Sequence, residues 1–109
     1  MIIAITGTNT DVGKTVATAA IAAVLKRRGI DVVAAKPIQT GEEPGQGDAS
    51  AVAKLAGIET FERWRYPEPL APNLAARRAG IQTPSLGEVA KWVRSLNAPD
   101  RVVLVEGAG

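Results

Sequence analysis

The chain has 109 residues, 46% of them hydrophobic and 22% charged, which fits one globular domain and is too short for two independent cores. Its 13 Lys plus Arg against 11 Asp plus Glu leave a formal charge of +2, and the basic doublets Arg27-Arg28 and Arg77-Arg78 stand far apart, so no nucleic-acid stripe is written here. Cysteine and histidine are both absent, which removes disulfides, thiolate nucleophiles, Cys- or His-based zinc sites and the commonest general base; chemistry must run on lysine, carboxylates, hydroxyls, backbone amides or a bound cofactor.

Residues 2–6 form a short β-branched run that stops at Gly7, the pattern of a strand buried on both faces. After a turn-rich loop, residues 14–28 are Ala-rich, with apolar positions at Val16, Ala17, Ala20, Ile21, Val24 and Leu25, a basic last turn and Gly29 behind it, which predicts a helix. The mostly apolar stretch 16–25, interrupted by Thr18, is too short to span a membrane and lacks signal-peptide flanks, so no membrane partner and a cytoplasmic address are expected. A second β-branched run, 30–35, ends at Lys36-Pro37, giving a strand-helix-strand unit whose strands are parallel. Residues 41–47 (GEEPGQG) read as a loop and 48–56 as a short helix with Asp48 at its N-cap and Gly57 behind it. Pro67, Pro69 and Pro72 mark an extended connector, with Pro72 in the first turn of a helix through Arg78. Ser85-Leu86-Gly87-Glu88 is a capping box opening a helix to about Leu96, and 101–105 is a third strand before Glu106-Gly107-Ala108-Gly109.

The sharpest chemical signal is Gly7-Thr8-Asn9-Thr10-Asp11-Val12-Gly13-Lys14-Thr15, set between a predicted strand and a predicted helix as a P-loop must be. In such a loop successive backbone amides and the helix dipole face a phosphate, Lys14 reaches the outer phosphates and the Thr15 hydroxyl ligates Mg²⁺. The loop has five residues between its glycines where the strict pattern has four, so Thr8 stands in the place of the first glycine. Lys36 closes the second strand, where open α/β sheets bind ligands; it reads either as a second cation for the same phosphates or as a lysine snorkelling off a strand end. Thr40 adds a hydroxyl to the same loop. The apolar run Arg101-Val102-Val103-Leu104-Val105 ending in Glu106 has the form of a Walker B element for Mg²⁺. Asp48 has two compatible readings, helix cap and metal ligand. Trp64, Trp92, Tyr66 and Phe61 read as packing residues without the spacing of a stacking platform.

Taken in order, GTNTDVGKT, KPIQTG, GDAS, YPEPLAP and VVLVEGAG resemble dethiobiotin synthetase over the whole chain, including the five-residue loop spacing. The resemblance implies a P-loop NTPase-like α/β fold, a parallel sheet flanked by helices in three αβα layers, and a homodimer. It also implies ATP and Mg²⁺ as cofactors, with 7,8-diaminononanoate and CO₂ as substrates. A carbamate on one substrate amine is phosphorylated by ATP, and the second amine closes a cyclic urea with loss of phosphate, so the enzyme needs no Cys or His. Carried over by motif position, Lys14 would bind the transferring phosphate and Lys36 would stabilise the carbamate and phosphoryl group. Thr40 would hydrogen-bond the carbamate region. Thr10, Asp11, Val12, Gly13, Lys14 and Thr15 would form the phosphate cradle, with Glu106 and Gly107 on the nucleotide side. Thr15, Asp48 and Glu106 would hold Mg²⁺, and the segment from Pro69 to Pro72 would line the substrate.

Three rival readings share parts of this pattern. A switch ATPase of the partitioning or iron-protein type would carry a lysine where Asn9 stands; a cobyrinate-synthase-like ligase would come in a longer chain; a non-catalytic nucleotide-binding module would leave Lys36 and Thr40 incidental. Three strands leave unpaired apolar edges, and the family resembled is roughly twice as long. Residues 1–109 are therefore expected to be the N-terminal part of a single P-loop nucleotide-binding domain, truncated before the base pocket, and inactive and aggregation-prone in isolation.

Overall fold

The computed structural model describes residues 1–6, 11–40, 48–66 and 84–107, with the backbone alone at 11, 12, 40, 48–50 and 66. Four strands form one parallel sheet: β1 Ile2–Ile5, β2 Asp31–Thr40, β3 Glu59–Tyr66 and β4 Arg101–Glu106, in the spatial order β1-β4-β2-β3. Helices α1 Asp11–Arg27, α2 Asp48–Ala56 and α3 Leu86–Ser95 alternate with them, giving the helix-flanked parallel α/β architecture that the strand-loop-helix reading implied. The loop 41–47 and the helix expected from Pro72 to Arg78 lie outside the described residues.

Several elements differ from expectation: β1, expected to be buried on both faces, has the burial pattern exposed-intermediate-exposed-intermediate, with none of its four residues buried. The strand β3 was not expected: ETFERWRY carries Glu59, Glu62, Arg63 and Arg65 and lacks clean alternation. Among the described residues β3 pairs only with β2, from Val33↔Glu59 to Thr40↔Tyr66, and an edge strand tolerates such charges. The second strand runs to Thr40 and passes through Lys36-Pro37 instead of ending there. Its pairing with β4 stops at Ala35↔Val105, so Pro37, which has no N–H, sits where strand pairing is one-sided. Helix α1 begins at Asp11, three residues before the expected start.

Helix ends follow the local chemistry. Gly29, at φ +79°, closes α1 with Ile30 N donating to Leu25 O and Gly29 N to Lys26 O, the paired bonds of a Schellman turn. Gly57, at φ +68°, ends α2 with a single bond to Ala53 O. The capping box at α3 is present in full: Glu88 N donates to Ser85 Oγ and Ser85 N to Glu88 Oε1.

Side-chain alternation along β2 and β4 makes two cores. Val32, Val102 and Leu104 meet Ala22 and Leu25 of α1 and Ala56 of α2 on one face. Val33, Ala35, Val103 and Val105 meet Trp92 of α3 and Leu96 on the other, with Phe61 of β3. Trp64 of β3 meets Trp92 edge to face at 6.1 Å, so both are packing residues, as expected, and the pairing itself is a feature the sequence did not show. The alternation also decides where the functional side chains go: Lys36 follows Val32 and Ala34 in phase, and Glu106 follows Val102 and Leu104, so both project to the α1 face.

Candidate functional site at the carboxyl ends of the central strands

Strands β2 and β4 are neighbours paired through Ala35↔Val105, and the next residue of each is ionic. The amino-terminal turn of α1 brings Lys14 and Thr15 to the same place. Thr15 Oγ1 donates to Glu106 Oε1 at 3.2 Å. Lys36 Nζ donates to Gly107 O at 2.8 Å and lies 4.0 Å from Glu106 Oε1. Lys14 Nζ reaches the same Gly107 carbonyl at 3.4 Å. Residues separated by up to 93 positions thus converge on the end of β4.

All four side chains are withdrawn from water: Lys14, Thr15, Lys36 and Glu106 are 7%, 6%, 3% and 3% exposed. Removing ions from water costs several kcal/mol apiece unless charge and hydrogen-bond partners compensate. Here they do, since no buried side-chain nitrogen or oxygen among the described residues lacks a hydrogen-bond partner. Two ammonium groups beside one carboxylate, under the positive end of a 17-residue helix, form a setting matched to an incoming polyanion. The helix start adds backbone amides that have no intrahelical acceptor.

The oxygen donors at hand suit a hard cation. Thr15 Oγ1 and Glu106 form a buried hydroxyl-carboxylate pair, and Mg²⁺ is typically held by one or two carboxylates and phosphate oxygens instead of a complete protein cage.

The structure therefore brings together five of the sequence-derived candidates: Lys14, Thr15, Lys36, Glu106 and Gly107. Gly13 lies in the first turn of α1, exposed. Asp11 and Val12 are the first two residues of that helix, and Thr40 is the last residue of β2 instead of a loop residue; only their backbones are described. Asp48 is the first helical residue of α2, one position inside the N-cap expected for it, again by backbone alone. Thr10, Pro69 and Pro72 lie outside the described residues. Sequence reasoning missed that the Gly107 carbonyl is the common acceptor of both lysines, because no side-chain pattern records a backbone oxygen. No described helix is long and apolar enough to cross a membrane.

A family model described as an AAA domain matches residues 2–109. The chain is 58% identical over 108 residues to an ATP-dependent dethiobiotin synthetase BioD of Corynebacterium efficiens and 54% identical over 108 residues to that of Corynebacterium diphtheriae. It is 50% identical over 113 residues to the protein of the same name from Mycobacterium sp. (strain KMS). Each match covers 99% of this chain and 49% of the relative, so the chain spans about half the length of the curated relatives it matches. The resemblance read from the ordered motifs is borne out by these names.

Proposed function

The chain belongs to the AAA domain family, whose model spans residues 2–109, and on that premise we propose that it supplies the phosphate, metal and carbamate side of an ATP-dependent dethiobiotin synthetase. The observation that carries the reading is the meeting of Lys14 and Lys36 at one carbonyl beside the Thr15–Glu106 pair. Phosphoryl transfer asks a protein mainly to position reactants and neutralise charge, and these groups do both.

In the proposed reaction one amine of 7,8-diaminononanoate adds to CO₂ and loses a proton, giving a carbamate. A carbamate oxygen attacks the γ-phosphorus of ATP and ADP leaves. The second amine then attacks the carbonyl carbon, the urea ring closes and phosphate departs. The substrates supply nucleophiles and electrophile, which accords with a chain lacking Cys and His. Lys14, from the amino-terminal turn of α1, holds the phosphoryl group. Lys36, from β2, faces the carbamate oxygen and the same phosphoryl group, with Thr40 four residues further along the strand bonding the carbamate. Thr15 and Glu106, with Asp48 from α2, would hold Mg²⁺, which supplies charge neutralisation on the phosphate oxygens. Thr10 to Gly13 complete the phosphate cradle, and Pro69 and Pro72 line the substrate. A cytoplasmic homodimer belongs to the same reading.

The test is ATP turnover by the intact protein with diaminononanoate and bicarbonate supplied or withheld. Phosphate release that requires both, with dethiobiotin as product, supports the ligase; release independent of both points to a switch ATPase, and nucleotide binding without release to a non-catalytic module.

A further inference from the structure

We propose that Thr18 is a positioning residue that holds the phosphate-binding turn of α1 in register, an inference that rests on the reading of Lys14 and Thr15 as phosphate and metal groups. Thr18 is the one polar residue in the otherwise apolar stretch 16–25, and it is 1% exposed, among the largest fully buried side chains of the molecule. Its hydroxyl donates to the backbone carbonyl of Lys14 at 2.8 Å. That carbonyl is also the ordinary helical acceptor of the Thr18 amide. The residue that carries the phosphate-binding ammonium is therefore held by two bonds from the same residue one turn on.

The placement is costly if it serves only packing. Thr18 lies on the buried stripe of α1, between Lys14 and Thr15 on one side and Ala22 of the apolar core on the other. A valine of the same shape would fill that space without a hydroxyl to desolvate, and no donor or acceptor would be orphaned, because the Lys14 carbonyl keeps its helical bond. A threonine bonding back to the carbonyl four residues earlier also slightly destabilises a helix. The second bond acts on the turn whose side chains meet the end of β4, where a misplacement of about 1 Å carries into binding and rate.

The experiment compares Thr18→Val, Thr18→Ser and Lys14→Ala in the intact protein, measuring affinity for MgATP by calorimetric titration and the ligand-free melting temperature. Thr18→Val should melt at or above the wild-type temperature while its affinity falls on the order of tenfold. Thr18→Ser, which keeps the hydroxyl, should recover most of that affinity. Wild-type affinity in Thr18→Val, or an affinity loss that only tracks a lowered melting temperature, overturns the role of Thr18. Undiminished MgATP affinity in Lys14→Ala would instead overturn the phosphate-binding reading, so the two failures are distinguishable.

Discussion

Lys14 and Lys36 reach one backbone carbonyl from two different elements, and the difference in origin separates their expected phenotypes. On the proposed reading Lys14 belongs to the helix turn that receives phosphate, so Lys14→Ala should weaken MgATP binding and cut turnover by a factor on the order of 10² or more. On the same proposal Lys36, from β2, faces the carbamate, so Lys36→Ala should lower kcat far more than it weakens ATP affinity; equal losses in a paired kinetic and calorimetric measurement would make it an ordinary phosphate clamp. Glu106 is the acceptor of the Thr15 hydroxyl. Glu106→Gln keeps its shape but removes the negative charge, and should raise the Mg²⁺ concentration needed for half-maximal turnover. Asp48→Asn should do the same if Asp48 faces the metal. A lowered melting temperature with an unchanged Mg²⁺ requirement would confine that carboxylate to the first turn of α2, where negative charge favours the helix dipole.

Each element carries its own local logic, and that decides how much of it the sequence discloses. Helix α3 is written in four letters: Ser85 and Glu88 cap each other, and Ser85→Ala should cost about 1 kcal/mol in a denaturant titration. The turn before β4 is less legible. Arg101 N donates to Ala98 O across Pro99 and Asp100, and Asp100 is the one described non-glycine residue at positive φ, +63°. Pro at the second position and a left-handed third residue define a type II turn, where glycine is the unstrained choice. Asp100→Gly should therefore raise stability by up to about 1 kcal/mol, the relief of left-handed strain offset in part by chain entropy. The two best sequence signals, Gly13-Lys14-Thr15 and Glu106, are legible because the phosphate and metal chemistry proposed for them dictates residue type at a strand-helix junction and a strand end. The convergence of Lys36 with Glu106 needed the strand order, since β4 lies between β1 and β2 and no local pattern says so. Strand β3 escaped because edge position, not alternation, licenses its composition.

At the scale of the whole molecule the sheet is unevenly protected. Among the described residues β1 pairs with β4 alone, and its other edge presents the backbone of IIAI. Ile3 packs toward the α1 core while Ile2 on the opposite face is 40% exposed. Helix α1 adds Val16, Ile21 and Val24, all exposed, on the side turned away from the sheet. A helix that is apolar on both sides and a bare apolar strand edge are surfaces that self-associate in water. This 109-residue polypeptide should therefore elute from size-exclusion chromatography as concentration-dependent oligomers or aggregates. Ile2→Lys places a charge on the bare edge at a position that is already half solvated, so it should shift the elution toward monomer while leaving the far-ultraviolet circular dichroism unchanged. If the oligomers persist in Ile2→Lys but dissolve when Val16 and Val24 are made polar, the exposed face of α1 and not the strand edge drives the association. A monodisperse monomer in the unsubstituted polypeptide would show that neither surface is exposed enough to matter.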